Sequence, residues 1–235
     1  MPTALVTGAS RGLGLEHVRQ FASRGWQVIA CARRPDAPAL GSLVTAAGGL
    51  VQAIAMDVAD HDAVDRAATA LHGVAIDILV NNAGTSGPGG GHEAAQFQGL
   101  QHMDYAVWRD ILEINLLGAF KVATAFRDQL AASQRRLLVN VSSDLGSVAQ
   151  NGTGNIYAYR TSKAGLNMMT RGMAVEWPHL VVIAVAPGWC RTDLGGIEAE
   201  VAPADSVRAQ QELFERVGPV DSGRFLDRFG QVVPW

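Results

Sequence analysis

The sequence has few of the residues that mark several common classes of protein. Its 235 residues include only two cysteines, Cys31 and Cys190, whose wide separation favours ordinary thiols over a disulfide framework. Charged residues make up 17% of the chain and the formal net charge is -3, so no basic surplus indicates nucleic acid or a membrane surface. No apolar run approaches the ~20 residues that span a bilayer, and no secretory signal precedes the first apolar run. We therefore expect a cytoplasmic protein.

Histidine is scattered along the chain, which argues against a metal site. None of the six histidines pairs with a cysteine or a carboxylate at a convincing ligand spacing, so we expect neither a structural nor a catalytic metal. They are His17, His61, His72, His92, His102 and His179.

Glycine is abundant instead, and the pattern around it predicts the fold class. The 26 glycines favour many tight turns between strands and helices. Short apolar runs alternate with helical periods, which is typical of an α/β fold with a Rossmann-type doubly wound parallel sheet of about seven strands and helices on both faces. The length fits a single domain, residues 1–235. The predicted strands are residues 3–7, 26–31, 50–55, 76–80, 137–141, 181–186 and 222–227.

The same pattern predicts the main helices and one irregular segment. Helical periods cover residues 15–24, 105–130, 158–174 and 203–217, and the second of these reads as one long helix. Residues 85–102 are the least regular part of the chain, rich in glycine near their start. We interpret them as a mobile loop, because the alternation of helix and strand resumes directly after them.

A glycine-rich turn follows the first predicted strand and opens the first helix. Gly8 allows the tight turn, Gly12 lets the backbone approach a pyrophosphate, and Gly14 lets the helix pack closely on the sheet. Backbone N–H groups at a helix N-terminus are suited to binding phosphate. The spacing is GxxxGxG instead of the common GxGxxG, so a glycine turn without a ligand is the alternative interpretation.

The residues after the second strand predict which dinucleotide binds. Many NAD-binding folds place an acid there for the ribose 2′-hydroxyl, but this chain has Arg33 and Arg34 and no acid before Asp36. Arginine binds a 2′-phosphate through its charge and its forked donors, and Arg11 in the glycine turn could reach the same phosphate. We therefore expect NADP(H) to be preferred over NAD(H). The alternative is that one of the arginines is simply solvated.

Further polar residues fall at the carboxyl ends of predicted strands, where ligands bind in such sheets. Asp57 could accept a hydrogen bond from an adenine amino group, or it could cap the helix that begins near Asp60. An NNAG turn at residues 81–84 ends the fourth strand, and a Pro-Gly pair at residues 187–188 follows the sixth. Asn115 lies inside an apolar helical stretch, where its amide needs partners; a hydrogen bond between packed helices is the alternative.

Tyr159 and Lys163 form the candidate reacting pair. They are four residues apart in a helical stretch, so they lie on one face, one turn apart. A phenol has an ordinary pKa near ~10, and a neighbouring ammonium lowers the pKa of that phenol. The pair would then act as a general acid/base toward an alcohol or carbonyl oxygen. Taken alone, the same spacing also fits an ordinary surface pair.

These motifs occur together with others as a set. The set comprises TGASRGLG (7–14), DV (57–58), NNAG (81–84), Asn115, VSS (141–143), YRTSK (159–163) and PG with a following threonine (187, 188 and 192). It resembles the short-chain dehydrogenase/reductase family over essentially the whole chain. Within that family the chain is most similar to the C-factor and Sniffer-like carbonyl reductases, in the segments YAYRTSKAGLNMMTR (157–171), PGWCRTDLGG (187–196) and SGRFLDRFGQVVPW (222–235).

The resemblance implies a role for each motif. Tyr159 would exchange a proton with the carbonyl oxygen, while Lys163 would lower the pKa of Tyr159 and hold the nicotinamide ribose. Ser143 would hydrogen-bond the carbonyl oxygen, and Asn115 would anchor a water relay. The residues implied in cofactor binding are Gly8, Ser10, Arg11, Gly12, Leu13, Gly14, Arg33, Asp57, Val58, Asn82, Ala83, Gly84, Tyr159, Lys163, Pro187, Gly188 and Thr192.

The choice of serine leaves alternatives. Ser143 lies sixteen residues before Tyr159, a longer spacing than in most of the family, whereas Ser147 lies twelve before it. We prefer Ser143 because it closes the fifth strand, as the VSS match requires. Ser142 is the third candidate, although neighbouring side chains of a strand point to opposite faces.

The expected activity is NADPH-dependent reduction of a ketone or aldehyde, reversible as an alcohol dehydrogenase. Residues 85–104, 144–156 and 189–203 would set the specificity for this small-molecule substrate. The alternatives are a non-catalytic NADP-binding sensor or signalling protein, an NAD-dependent alcohol dehydrogenase, and a sugar-nucleotide epimerase or dehydratase. The complete catalytic set argues against a sensor, and the short sequence after the sixth strand argues against an epimerase. The resemblance also implies a homodimer or homotetramer paired through residues 105–130 and 158–174.

Overall fold

The strands and helices of the chain alternate as the sequence predicts. The computed structural model describes residues 1–235, with Gly91 and His92 described by their backbone alone. The strands are β1 (Thr3–Thr7), β2 (Gln27–Ala32), β3 (Val51–Ala55), β4 (Ile78–Asn81), β5 (Gln98–Gly99), β6 (His102–Met103), β7 (Leu137–Val141), β8 (Val181–Ala186) and β9 (Phe225–Asp227).

Seven of these strands form one parallel sheet in the order β3-β2-β1-β4-β7-β8-β9. The strand order changes direction at β1, which pairs with β2 on one side and with β4 on the other. The carboxyl ends on either side of this point form a crevice in doubly wound sheets. The predicted Rossmann-type sheet of about seven strands is therefore confirmed.

The strands are buried because both faces of the sheet are covered. β1, β7 and β8 are near-continuous apolar runs, the pattern of a parallel strand covered on both sides. The helices that cover them are α1 (Gly12–Ser23), α2 (Pro38–Ala46), α3 (His61–Ala70), α4 (Gly91–Ala94), α5 (Tyr105–Leu112), α6 (Gly118–Ala125), α7 (Arg127–Ala131), α8 (Tyr157–Glu176) and α9 (Pro203–Arg216).

Two apolar clusters hold these helices against the sheet. One contains Phe21 of α1 and Phe214 of α9. The other, on the opposite face, contains Val64 of α3, Val122 of α6 and Met173 of α8. Full burial of a phenylalanine such as Phe214 stabilises the fold by about 1.5–3 kcal/mol. The two clusters fix the sheet edge where the polar residues gather.

The prediction of one unbroken helix over residues 105–130 is wrong, because the helix is interrupted twice. A π-helical turn, Glu113–Leu117, separates α5 from α6, and a second break at Phe126 precedes α7. Single π turns inside helices are frequent at functional sites. Here the turn carries Asn115, and beyond it a Cβ at Gly118 would lie 2.7 Å from the carbonyl oxygen of Val58. Only glycine allows α6 to approach the turn after β3 this closely.

The interpretation of residues 85–102 as a loop is also corrected. The segment contains α4, a 3₁₀ turn at Ala95–Phe97, and the antiparallel hairpin of β5 and β6. A backbone hydrogen bond of 2.9 Å from Asp104 N–H to the Phe97 carbonyl closes the segment onto the start of α5. The irregular sequence hides this order because each element is only two to four residues long.

Several predictions concern features outside the sheet. Within the described residues, no helix combines the length and the apolar character that crossing a membrane requires. The predicted absence of a metal rests on six histidines, and the side chain of one of them, His92, lies outside the described part of the structure. Cytoplasmic localisation, a single domain over residues 1–235 and the absence of a metal stay predictions.

Candidate active site

The residues predicted to carry chemistry meet at the carboxyl edge of the sheet. β1, β4, β7 and β8 are parallel neighbours, so their last residues lie side by side. The glycine turn follows β1, the NNAG turn follows β4, Ser143 follows β7, and the Pro-Gly pair follows β8. The fold therefore brings together segments that are far apart in the sequence.

The glycine turn requires glycine at two positions. Gly8 has φ of +65°, and a Cβ there would lie 2.9 Å from Cα of Ala83. A Cβ at Gly14 would lie 2.3 Å from the carbonyl oxygen of Gly8 and 2.5 Å from Nδ2 of Asn82. The absence of side chains leaves the backbone N–H groups that open α1 accessible to an anion. This backbone cradle fits the phosphates of a dinucleotide.

Thr7 joins the glycine turn to the NNAG turn, a role that the sequence reasoning missed. Its hydroxyl accepts hydrogen bonds of 3.0 Å from the backbone N–H groups of both Asn82 and Ala83. In return, the Asn82 amide donates to the carbonyl oxygen of Thr7 at 2.9 Å. The only signal in the sequence is a hydroxyl at the end of an apolar strand.

The candidate adenosine end lies beyond β2 and β3. Arg33 is exposed directly after β2. Asp57 accepts from the backbone N–H of Ala59 at 3.1 Å, while α3 is capped by Asp60, so Asp57 is not the helix cap. Val58, the other residue of the DV motif, is buried. This edge of the sheet therefore offers the positive charge of Arg33 and the carboxylate of Asp57 as a hydrogen-bond acceptor.

Arg11 makes an ion pair that a phosphate could replace. Its guanidinium lies 2.7 Å from the carboxylate of Asp193, and both side chains are mostly exposed. An exposed pair of this kind contributes only about 0–1 kcal/mol. Ser10 and Leu13 are partly buried beside Arg11, and the methyl group of Thr192 would lie 3.4 Å from a Cβ at Gly12. The turn is thus bordered by the segment that follows β8.

Tyr159 and Lys163 are buried on one face of α8. Tyr159 is 8% exposed and Lys163 is 5% exposed. The Lys163 Nζ lies 5.7 Å from the centre of the Tyr159 ring and donates to the carbonyl oxygen of Val141 at 2.8 Å. A Cβ at Gly84 would lie 3.7 Å from that Nζ and 3.3 Å from Oδ1 of Asn115. The surface-pair alternative is therefore wrong.

Burial shifts both groups of this pair away from their charged forms. It raises the pKa of Tyr159 to about 12; the hydrogen bond from Ser143 lowers the pKa, and the charges of Asp144 and Cys190 raise it further. Burial lowers the pKa of Lys163 to about 8. The expected lowering of the Tyr159 pKa by Lys163 is therefore not found: burial is the largest cause of the shift, and Lys163 is not among the groups that change this pKa.

The three candidate serines have different partners. Ser143 is close enough to the Tyr159 phenol to lower its pKa, and its hydroxyl accepts from the backbone N–H of Leu145 at 3.2 Å. Ser142 is turned away and donates to Oδ1 of Asn167 at 2.6 Å. Ser147 donates to the carbonyl oxygen of Pro234. Of the three, Ser143 is the serine that lies against Tyr159.

Asn115 is held by three hydrogen bonds inside the π-helical turn. Its Oδ1 accepts from the backbone N–H of Thr85 at 2.8 Å, and its Nδ2 donates to the Thr85 carbonyl at 2.8 Å and to Ser162 Oγ at 3.0 Å. Ser162 in turn donates to the carbonyl oxygen of Tyr159 at 2.7 Å. Thr85 and Ser162 were not predicted, although Ser162 stands within the YRTSK motif. Asn115 therefore links the NNAG turn to α8.

The segment after β8 closes the site. Gly188 has φ of +81°, and the carbonyl oxygen of Pro187 accepts from Ser206 Oγ at 2.7 Å. Cys190 is buried and donates to the carbonyl oxygen of Gly188 at 3.4 Å, and burial raises the pKa of its thiol. A nucleophilic role for Cys190 therefore has no support. Thr192 accepts from the backbone N–H of Gly195 at 3.2 Å.

Comparison with known families identifies this arrangement. The model of the short chain dehydrogenases matches residues 2–200. The chain belongs to the short-chain dehydrogenase family. It is an NAD(P)-dependent oxidoreductase of that family, which confirms the resemblance found in the sequence motifs.

Individual relatives agree with the narrower resemblance. C-signal of Myxococcus xanthus is 38% identical over 162 residues, which cover 68% of this chain and 93% of C-signal. The carbonyl reductase Sniffer of D. melanogaster superimposes with a TM-score of 0.89 at 26% identity, and 100% of both chains is covered. A carbonyl reductase from Pseudomonas aeruginosa PAO1 in complex with NADP superimposes with a TM-score of 0.85 at 29% identity, again over 100% of both chains. This short-chain dehydrogenase is therefore of the C-factor and Sniffer-like kind.

Proposed function

We propose that this short-chain dehydrogenase uses NADPH to reduce a ketone or an aldehyde to an alcohol. The observation that carries the proposal is the buried Tyr159 phenol, which lies beside Lys163 and Ser143 at the sheet edge where the glycine turn lies. A phenol whose pKa is raised stays protonated at neutral pH, so it can donate a proton to a carbonyl oxygen. The reaction is reversible as an alcohol dehydrogenase.

The protein contributes a proton and an electrostatic environment. As the carbonyl oxygen gains negative charge, the Tyr159 phenol donates its proton to it and the Ser143 hydroxyl hydrogen-bonds to it. The hydride that the carbonyl carbon accepts is supplied by NADPH when it is bound. Lys163 holds the nicotinamide ribose and returns a proton to Tyr159, and Asn115 anchors the water that brings this proton from solvent.

The cofactor contacts follow the geometry of the sheet edge. The glycine turn takes the pyrophosphate on backbone N–H groups, while Arg11 and Arg33 take the 2′-phosphate. The NADP bound to the Pseudomonas aeruginosa enzyme supports this choice over NAD(H). The other residues that we assign to cofactor binding are Ser10, Leu13, Asp57, Val58, Asn82, Ala83, Gly84, Pro187, Gly188 and Thr192.

Three segments border the position of a substrate and would set the specificity. They are residues 85–104, 144–156 and 189–203, and each follows a strand end at the active edge. Asp144 lies in the second segment; partial burial raises the pKa of its carboxyl, Asp227 raises it further, and Arg228 opposes the shift. We propose an open pocket with broad specificity. A single substrate favoured by orders of magnitude over close analogues would contradict that breadth.

The test is consumption of NADPH, and in parallel of NADH, with a panel of aldehydes, ketones and diketones. We expect turnover with NADPH that is lost in Tyr159→Phe. Tight NADPH binding without turnover on the whole panel would favour a non-catalytic sensor or signalling protein. A preference for NADH would favour an NAD-dependent alcohol dehydrogenase and would contradict the roles of Arg11 and Arg33.

We further propose a homodimer or homotetramer paired through α5, α6 and α8. Leu117 and Phe120 are about half exposed on the α6 side, and Met168 is 73% exposed on α8. These apolar side chains supply the partner surface that a second copy would cover. Light scattering coupled to gel filtration tests it; a monomer at micromolar concentration would contradict it.

A further inference from the structure

The start of α8 lacks a cap from its own sequence. The three residues before it, Gly154, Asn155 and Ile156, have φ of 62°, 57° and 42°, all in the left-handed region. This conformation is strained for a β-branched residue such as Ile156, which stands at the cap position and whose side chain makes no capping hydrogen bond. The first N–H groups of a helix have no partner within the helix. Those of α8 must be satisfied from elsewhere.

The side chain of Gln98 provides the hydrogen-bond acceptor for the backbone N–H of Tyr159. Its Oε1 accepts from the backbone N–H of Tyr159 at 2.8 Å, across 61 residues of sequence. Gln98 is fully buried, and buried amides of this kind are costly unless each polar atom is paired. The hydrogen bond therefore fixes the backbone that carries the Tyr159 phenol.

The other end of the same amide holds the segment after the NNAG turn. Its Nε2 donates to the carbonyl oxygen of Ser86 at 2.6 Å and to that of Ala94 at 3.0 Å. A Cβ at Gly87 would lie 3.4 Å from this nitrogen, so the backbone is packed tightly around it. One acceptor and two donors are all used. Of the natural side chains, glutamine is the one that supplies both functions at this length without charge.

We propose that Gln98 is a positioning residue that sets the place of Tyr159 from the substrate side of the site. The inference rests on the proposed function, because the proton transfer is assigned there to Tyr159. Residues 85–104 border the substrate, and Gln98 connects them rigidly to the first turn of α8. A change in the packing of that segment therefore moves the phenol that donates the proton.

The decisive variant is Gln98→Met, which keeps the length and removes all three hydrogen bonds. We expect kcat to fall by about 10- to 100-fold, since displacements of about 1 Å at a reacting group have effects of this size. The affinity for NADPH should fall much less than kcat, because Gln98 makes no hydrogen bond to the glycine turn that takes the pyrophosphate. Amide hydrogen exchange at Tyr159, measured by NMR, should become faster.

Gln129→Met is the matched control. Gln129 is also buried, and its side-chain amide donates one hydrogen bond of 2.9 Å to the Ala68 carbonyl; its backbone carbonyl accepts from the Ile76 N–H, near the opposite edge of the sheet. We expect the kcat of Gln129→Met and its amide exchange at Tyr159 to equal those of the wild type, even if its melting temperature falls as much as that of Gln98→Met. An equal loss of kcat in both variants would overturn the positioning role.

A second variant separates positioning from loss of fold. Gln98→Glu keeps an acceptor for Tyr159 N–H but faces two carbonyl oxygens with a carboxylate. As the pH falls and this carboxyl takes up a proton, it regains one donor, so its kcat relative to wild type should rise while that of Gln98→Met stays flat. A flat ratio in both variants would overturn the inference.

The inference and the proposed function fail in different ways. Unchanged amide exchange at Tyr159 in Gln98→Met would overturn only the role of Gln98. Turnover retained by Tyr159→Phe would overturn the proposed function, and with it any positioning of an acid at this place.

Discussion

α5 and α8 both carry a tyrosine in the first turn, but their N-termini are held in different ways. At α5, the carboxylate of Asp104 accepts from the backbone N–H groups of Ala106 and Val107, its immediate neighbours. At α8, the acceptor is Gln98, which is distant in the sequence. The start of α5 is thus capped by the residue that precedes it, whereas a backbone N–H in the first turn of α8 is capped by a side chain of the 85–104 segment.

This difference separates stability from function. A local cap such as Asp104 stabilises its helix whatever the rest of the chain does. A remote cap makes Tyr159, the proposed proton donor, depend on the segment that we propose to border the substrate. Damage at α5 should therefore lower stability alone, and damage at α8 should lower turnover as well.

The largest contrast is expected from the two tyrosines themselves. Tyr159→Phe should lower kcat by about 10²- to 10⁴-fold, the usual contribution of a general acid. Tyr105→Phe removes the matching hydroxyl from α5, where the side chain is 64% exposed, and should leave kcat unchanged. Initial rates with saturating NADPH measure both, and equal kcat values for the two variants would contradict the comparison.

Arg160 provides the next largest effect. Its guanidinium is largely buried and donates to the carbonyl oxygens of Gly154 and Asn155 and to Thr153 Oγ1, so it holds the left-handed turn before α8. Arg160→Met should lower the free energy of unfolding by about 3 kcal/mol and reduce kcat. Urea denaturation and initial rates test this. Arg66→Met, at an exposed site on α3, should change stability by less than about 0.5 kcal/mol.

A cluster of buried polar side chains between α1 and α9 contrasts with Gln98. The amide of Gln98 has a hydrogen-bond partner for each polar atom, whereas several polar atoms of this cluster have none among the described residues. His17 Nε2, Gln210 Oε1 and Gln211 Oε1 have no hydrogen-bond partner among the described residues. Burial lowers the pKa of His17 to about 4, and the neighbouring Gln210 amide opposes the shift. His17 is the titratable member of this cluster, so we expect the stability that depends on the cluster to change with pH.

The sign of that response follows from proton uptake. Between about pH 6.5 and about pH 4, His17 is protonated in the unfolded chain but not in the folded chain. The free energy of unfolding therefore decreases as the pH is lowered through this range, by at most about 3 kcal/mol. His17→Leu should remove this part of the slope. Urea denaturation at pH 7, 6, 5 and 4 measures it; identical slopes in both proteins would exclude His17 as the cause.

The smallest effect is expected at the local cap. Asp104→Ala should lower the free energy of unfolding by about 1 kcal/mol and leave kcat unchanged, because the Asp104 carboxylate caps the first turn of α5 and the backbone hydrogen bond to Phe97 is kept. Asp104→Asn, which keeps an acceptor, should restore most of the loss. A fall in kcat that exceeds the fall in folded fraction would show that α5 is coupled to the site after all.

Much of the site could be predicted because its signals are local. Glycines at Gly8 and Gly14 mark a turn that no side chain fits, apolar runs mark the strands, and a parallel sheet brings their carboxyl ends together. The spacing of Tyr159 and Lys163 places them on one helix face without knowledge of the fold.

The remainder could not be predicted because it depends on contacts between distant segments. The π-helical turn at Asn115 forms around a hydrogen-bonded pair with Thr85, and the hairpin of β5 and β6 depends on the burial of Gln98. The pKa of Tyr159 likewise depends on how much of the fold covers the phenol. None of these has a periodic or short-range signature.

Both cysteines are covered, which makes the protein convenient for site-specific labelling. Cys31 is fully buried and Cys190 is 5% exposed, and burial raises the pKa of each thiol, so neither reacts readily as a thiolate. Ile197, in the segment after β8, is 92% exposed. An Ile197→Cys variant would therefore take a maleimide dye at one place only, with no need to remove the native thiols first, and its fluorescence would follow the substrate-side segment during turnover.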